Sequence, residues 1–254
     1  MQRKKRIVDM KNQVRDKKSL GDRMKLYEKA YDYKLTQRTP VIMRLDGKAF
    51  HTFTRQFEKP YSQTLMIMMN ETAKYLCENI QGAKIAYIQS DEITILIRYY
   101  DELNSEPWFN NEIQKMTSIG AAMASSFFTY RFGLEYFNTY REKVKPVQFD
   151  CRVFTIPEHD VCNNFIWRQQ DWERNSIQMF GLSYFSQKEL HKCSCKEIIR
   201  KCEEEKKVRW DELSTDLKRG RCIIKADDKW IVDKEIPIFK DDRDYIEKYL
   251  TLND

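Results

Sequence analysis

V-I-M-R-L-D-G-K-A-F-H, from Val41 to His51, and I-A-Y-I-Q-S-D-E-I-T-I-L-I, from Ile85 to Ile97, are the stretches from which the fold is read. In the first, Val41, Ile42, Met43 and Leu45 make a short apolar run fit for a buried strand, stopped by Asp46-Gly47, a turn dipeptide in which glycine tolerates positive φ. In the second, two apolar runs flank Gln89-Ser90-Asp91-Glu92, which reads as a hairpin with Asp91 and Glu92 projecting from its tip. About 40 residues separate the stretches, enough for a crossover helix, so Asp46 and Asp91 converge if both strands share one sheet. Two such carboxylates suit Mg²⁺, which prefers oxygen ligands and keeps waters and substrate phosphates. Two ions about 4 Å apart can share them in nucleotidyl transfer. On spacing alone, an ordinary Asp-Gly turn and a solvated acidic tip are the favoured reading.

Composition bounds the rest. A chain of 254 residues with 41% hydrophobic and 13% aromatic residues can bury a sizeable core, and Gly 7 and Pro 6 argue against long linkers. The net charge of +6 is localised: Met1 to Leu20 holds eight Lys or Arg against two Asp, and the remaining charges cancel. A basic arm on a neutral body suggests a polyanionic partner, with a solubilising tail, a short docking helix and a transit peptide as other readings. No apolar run is long enough to span a bilayer and no signal peptide begins the chain, so a soluble intracellular protein with no membrane role is expected. The compartment expected is the cytoplasm, or the mitochondrion for a eukaryotic source. Seven cysteines form no regular framework, which fits reduced thiols. His191, Cys193, Cys195 and Cys202 lack Cys-x-x-Cys spacing, and Ser194 with Glu197 reads instead as a capping box.

Periodicity orders the elements. Asp22 to Lys34 reads as a helix packed beside the sheet, and Gln63 to Asn79 as the crossover helix. Asn110 to Tyr130 reads as a slim helix rich in Ala and Ser, and Val147 to Ile156 as a further strand. The order β-α-β-β-α-β is the split βαβ, or ferredoxin-like, arrangement of polymerase palms: an α+β fold with an antiparallel sheet and helices on one face. Asn163 to Phe180 then forms a polar helix, Lys196 to Lys207 a charged and solvated one, and Arg221–Lys225 with Trp230–Val232 a closing hairpin; Arg219, Gly220 and Arg221 are open to RNA or ordinary surface. This divides the chain into a basic arm (1–20), a palm-like catalytic domain (21–157) and a helical C-terminal region packed on the palm (158–254).

P-V-I-M-R-L-D-G-K-A-F-H, Phe57 to Pro60 (F-E-K-P) and Q-S-D-E resemble the tRNA-His guanylyltransferase superfamily, and more narrowly its Thg1-like branch. The resemblance extends through Gly21 to Lys25, Phe149 to Arg152 and Trp167 to Asp171. It implies a Mg²⁺-dependent nucleotidyltransferase that works 3'-to-5', adding nucleotides to the 5' end of tRNA against a template after ATP activates the 5'-monophosphate. Two Mg²⁺ would rest on Asp46, Asp91 and the carbonyl of Gly47, with Glu92 as a ligand or outer acid. The segment Lys48, Ala49, Phe50 and His51 would cradle a nucleoside triphosphate with Ser90, while Lys59 and Lys115 offset phosphate charge. Arg168, Gln169, Asp171 and Asn175 would face tRNA, and a homotetramer is implied. Members that add guanosine to tRNA-His carry His-Ile-Asn-Asn-Leu-Tyr where this chain has Glu173-Arg174-Asn175-Ser176-Ile177-Gln178, which favours 5'-end repair. Cys151, where glycine is frequent, is a second departure. Guanylation of tRNA-His, a palm-fold nucleotide cyclase and a non-catalytic tRNA-binding protein remain the alternatives.

If the arm reaches phosphates, deleting Met1 to Leu20 weakens RNA binding and flattens its salt dependence; an unchanged slope would place the arm off the RNA.

Overall fold

The computed structural model describes residues 18–140 and 145–251. They belong to two units, one ending at Tyr33 and one beginning at Lys34. In the first, helix α1 (Leu20–Lys29) is capped by Ser19, whose Oγ accepts the Asp22 N–H at 3.1 Å. The helix starts before the expected Asp22 and stops before Lys34, and none of its residues is buried. All but the last three residues of the basic arm lie outside the described residues.

The second unit is built on a six-stranded sheet whose pairings are all antiparallel, in the order β4-β1-β3-β2-β5-β6. Its strands are β1 (Val41–Gly47), β2 (Ala83–Gln89), β3 (Glu92–Ile97), β4 (Phe149–Thr155), β5 (Arg221–Ala226) and β6 (Lys229–Asp233). The first four, with helices α3 (Gln63–Asn79) and α4 (Ile113–Tyr140), form the expected βαββαβ palm. A one-turn helix, α2 (Phe50–Phe53), follows β1. Beyond the palm come α5 (Glu158–Leu182), α6 (Cys195–Lys201), α7 (Thr215–Arg219) and α8 (Asp244–Glu247). The closing hairpin does not stand apart: β5 pairs with β2 and extends the palm sheet. Asp227 and Asp228 both turn with positive φ, 47° and 60°, as a two-residue hairpin with right-handed strand twist demands.

Strand alternation sends side chains to two faces. Val41, Met43 and Leu45 of β1 and Ile93, Ile95 and Ile97 of β3 meet Met69, Ala73 and Leu76 of α3 and Ala124, Phe128 and Phe132 of α4. Ile42, Tyr87, Leu96 and Cys222 meet Val161, Cys162 and Phe165 of α5 and the C-terminal Ile236, Phe239 and Ile246. The palm helices thus share one face, and α5 closes the other. Helix α4 runs past the expected Tyr130 because Phe128, Phe132 and Tyr136 continue its buried stripe. The charged helix α6 is not wholly solvated: Ile198, with Cys202 just beyond it, packs against Ile177 and Phe180 of α5, and the Ser194–Glu197 capping box begins it.

Phe50, Phe53, Phe128, Phe132 and Phe149 form an edge-and-tilt cluster under α2, with ring centroids 5.2 to 6.3 Å apart. Truncating its centre, Phe128→Ala, is expected to cost about 3–5 kcal/mol in denaturant unfolding, and a loss below 1 kcal/mol would mean that the cluster collapses around the gap.

Candidate active site

Asp46 lies in β1 directly between two acids, paired with Glu92 of β3 on one side and Asp150 of β4 on the other. The hairpin after β2 is a two-residue turn, Ser90-Asp91, and the Asp91 carbonyl accepts the Gly47 N–H at 3.1 Å. That bond joins the two stretches read first in the sequence. Ser90 (φ 44°) and Ala49 (φ 55°) both sit in the left-handed region without being glycine. Such backbone costs of order 1 kcal/mol or more per residue and is concentrated at functional sites. Gly47, by contrast, is a strand residue with no positive φ. Glycine is required there because an added Cβ would stand 2.2 Å from the Phe50 ring.

Electrostatics single out the pair. Burial raises the Asp46 pKa, and Glu92 and Asp150 raise it further, against the opposing pull of Arg152 and Arg44. Burial and then Asp46 carry Asp91 from its ordinary 3.8 up to about 6, partly offset by hydrogen bonds from its own backbone and from Ser90. No Lys or Arg of the described residues forms an ion pair with either carboxylate. Among the described residues, then, Arg152 and Arg44 act on Asp46 only from beyond ion-pair distance. No group of three or more His, Cys, Asp or Glu forms a ready cage among the described residues. Mg²⁺ needs none, since one or two carboxylates plus substrate phosphates hold it, and the donor set fits that ion.

Glu92 departs from expectation. It does not project from the hairpin tip but begins β3, 8% exposed, with both oxygens taken by Arg168: Nε to Oε1 and Nη2 to Oε2, each at 2.7 Å. Gln89 Nε2 also donates to Oε1, at 2.9 Å. Held in this way, Glu92 is a buried partner of Arg168 beside Asp46, an arrangement that fits the outer-acid half of its expected role. Arg168 and Gln169, expected to face tRNA, are corrected, since both are buried and bonded internally. Arg168 stacks on Trp167 and binds Glu92 and Asp171, while Gln169 donates to Pro237 O and accepts from Phe239 N, both at 2.9 Å. Asp171 is held by Arg168 and Arg174; Asn175 remains exposed.

A cavity of about 720 Å³ opens at this end of the sheet. Asp46, Gly47, Ala49, Phe50, His51, Lys59, Ser90 and Asp91 all line it, as expected for a triphosphate cradle. Two predicted members do not. Lys48 turns away to Gln148 Oε1 at 3.0 Å and lines a neighbouring hollow with Arg55 and Lys145. Lys115 stands in the first turn of α4 beside Glu112, at 2.6 Å, whereas it is Ser125, nearly three turns later, that reaches Phe149 at the carboxylate end of the sheet. Lys115 thus stands nearly three turns before the stretch of the helix that meets this end of the sheet. The departure at Cys151 has a local account: its sulfur packs on Gly120 of α4, and burial pushes its pKa to about 12.

Sequence reasoning missed the far wall: Tyr61, Trp172, Met179, Ser183, Asp216 and Leu217. Arg221, taken for RNA-facing or open surface, is 2% exposed and lines the cavity beside this wall, next to Gly220, where a φ of 81° and the 2.6 Å that would separate an added Cβ from Ile88 O demand glycine.

The raised Asp91 pKa sets a sign. A carboxyl that ionises less readily when folded contributes stability at low pH that is lost as pH rises from about 4 through about 6. Asp91→Asn is therefore expected to stabilise the free protein at pH 7 by about 1–3 kcal/mol in chemical denaturation, and a destabilised variant would contradict the repulsion. Arg168→Leu strands Glu92 and should cost about 3–5 kcal/mol, most of it recovered in the Glu92→Leu/Arg168→Leu double variant.

The family model described as Thg1, tRNAHis guanylyltransferase, matches residues 21–157, more than half of the chain. A bacterial Thg1-like protein solved in complex with ATP is 45% identical, with a TM-score of 0.87 over 92% of this chain and 100% of that one. One solved with GTP is 41% identical, with a TM-score of 0.79 and the same coverage. The mouse probable tRNA(His) guanylyltransferase is 31% identical over 141 residues, 54% of this chain and 45% of that protein, so the match spans less than half of that relative's length. With its palm topology, its two facing aspartates and this family match in agreement, the chain belongs to the Thg1 family.

Proposed function

We propose that the protein adds nucleotides to the 5' end of tRNA in the 3'-to-5' direction, matched to the opposite strand, after ATP activates the 5'-monophosphate. The observation that carries this is the convergence of Asp46 and Asp91, neither ion-paired to a Lys or Arg among the described residues, with Lys59 on the wall of a cavity large enough for a nucleoside triphosphate. The bacterial relatives solved with ATP and GTP support it.

Two displacements at phosphorus are required. First the tRNA 5'-phosphate oxygen attacks the α-phosphorus of ATP and pyrophosphate leaves. Then the 3'-hydroxyl of the incoming nucleotide attacks the activated 5'-phosphate and AMP leaves. In both, positioning and charge neutralisation carry most of the catalysis. Asp46 and Asp91, with the Gly47 carbonyl, would hold Mg²⁺, which when bound offsets phosphate charge and orients the reacting oxygens. Lys59 places an ammonium against the triphosphate. Ser90 and the Gly47–His51 turn supply hydrogen-bonding groups at its oxygens, fixed by the Gly47 N–H to Asp91 bond and by the Phe50 ring beneath. Arg168 keeps Glu92 neutralised, so that the site's negative charge stays on the two aspartates.

The family match also favours a second reading, addition of a single guanosine to tRNA-His. Against it stands the α5 segment around Ser176, where the chain departs from the members that perform that reaction. The test is incubation with Mg²⁺, ATP, all four NTPs and two 5'-monophosphorylated tRNAs, one lacking its first nucleotide and one a full-length tRNA-His without its extra guanosine. Template-matched extension of the truncated tRNA is expected, and addition confined to tRNA-His would replace the proposal with the second reading. Asp46→Ala and Asp91→Ala are each expected to lower extension by about a thousandfold while leaving tRNA affinity within about threefold; ample residual activity would remove the aspartates from the mechanism.

A further inference from the structure

Beyond the phosphate end, the cavity runs along α5 to a wall whose polar groups the phosphotransfer does not use. Trp172, one turn past Arg168, is 4% exposed and lines the cavity, yet its indole N–H is buried and donates to nothing among the described residues. A buried donor without a partner costs about 1–3 kcal/mol, so its retention calls for an explanation. Opposite charge chemistry is supplied by Asp216, 7% exposed, whose Oδ1 accepts the Ser214 hydroxyl at 2.5 Å, while Oδ2 takes no hydrogen bond from the described residues. Arg221, with Nε on Asn70 Oδ1 and Nη2 on Met66 O at 3.3 Å, keeps a positive charge near that carboxylate.

The wall is preorganised. Ser176, one turn beyond Trp172, receives the Trp210 indole N–H on its hydroxyl at 3.1 Å and gives that hydroxyl proton to Leu217 O at 2.8 Å; its carbonyl accepts from Tyr61 at 3.1 Å. One serine thus ties Trp172's helix to the residue after Asp216 and to the segment following Lys59. Between the polar groups lie Leu65, Met66, Met179 and Leu182, an apolar lining suited to the faces of a two-ring heterocycle.

We infer that Trp172 and Asp216 are specificity-determining residues that read an amino-purine base, the indole N–H donating to a ring acceptor and the Asp216 carboxylate accepting from the exocyclic amine. The inference rests on the nucleotidyl-transfer reading only in taking the ligand to be a nucleoside triphosphate. It also assigns the wall to the activating nucleotide, because a base paired with a template has its donor and acceptor edge already occupied. Adenine and guanine both carry such an amine, and the ligand series separates them.

The test is calorimetric binding, without RNA, of ATP, purine riboside triphosphate, GTP, inosine triphosphate and CTP to the full chain and to Trp172→Phe and Asp216→Asn, each checked by circular dichroism for retained secondary structure at the assay temperature. For at least one purine pair, loss of the amine is expected to weaken wild-type binding about tenfold; ATP against purine riboside triphosphate assigns adenine, and GTP against inosine triphosphate assigns guanine. Trp172→Phe, which keeps the ring and removes the N–H, should weaken the preferred nucleotide by a similar factor, and Asp216→Asn should erase the amine's advantage. Wild-type affinities within twofold across both pairs, or CTP binding as tightly as the purines, would overturn the inference without any variant. So would a Trp172→Phe protein that binds like wild type. A protein that shows the predicted base preference but extends no tRNA would refute the proposed reaction and leave this assignment standing.

Discussion

The site depends on two carboxyls that the fold keeps both buried and mutually repelling. Strand pairing places Asp46 between Glu92 and Asp150, and a single backbone bond brings the Ser90-Asp91 turn against Gly47. Left alone, carboxylates this close and this buried would resist ionisation, which is what the elevation of Asp91 to about 6 expresses. One of the surrounding acids is neutralised internally, by the buried Glu92–Arg168 pair. The negative charge that remains is concentrated where phosphate and metal chemistry needs it. Hydrophobic packing elsewhere, above all the Phe cluster under α2, holds this arrangement in place.

The far wall follows another logic. Phosphates are held by charge, which tolerates small displacements; a base is distinguished by single hydrogen bonds, which do not. Ser176 fixes α5, Tyr61 and Leu217 in one network, so the groups beside them are set before a ligand arrives. Its neighbours Arg174 and Asn175 lie on the solvent side of the same helix. The segment in which this chain departs from the guanosine-adding members of its family is therefore part of the cavity's architecture.

Much of this was legible in the residues. The βαββαβ order and the crossover helix Gln63–Asn79 follow from apolar periodicity and turn dipeptides, which report local geometry directly, whereas the meeting of Asp46 with Asp91 needed the family resemblance as well. Arg168, Gln169 and Glu92 were misread for one reason: polarity marks a residue as exposed unless its partner is known, and Glu92 and Arg168 lie 76 positions apart. Lys115 was misplaced because residue type cannot say which stretch of a 28-residue helix faces the site. Gly47 was explained by backbone freedom when the Phe50 ring is the cause. The far wall escaped notice because Trp172 and Asp216 come from helices with no motif linking them.

The central claim is that Asp46 and Asp91 form a cation site tuned by burial and by their mutual repulsion, and calorimetric titration of Mg²⁺ in the presence of a non-hydrolysable ATP analogue, in two buffers of different ionisation enthalpy, tests it most directly. Binding is predicted to release protons near pH 6, where Asp91 is part-protonated, and to release few at pH 8, with the release abolished in Asp91→Asn. Mg²⁺ affinity and proton release indistinguishable between the wild type and Asp91→Asn would contradict it.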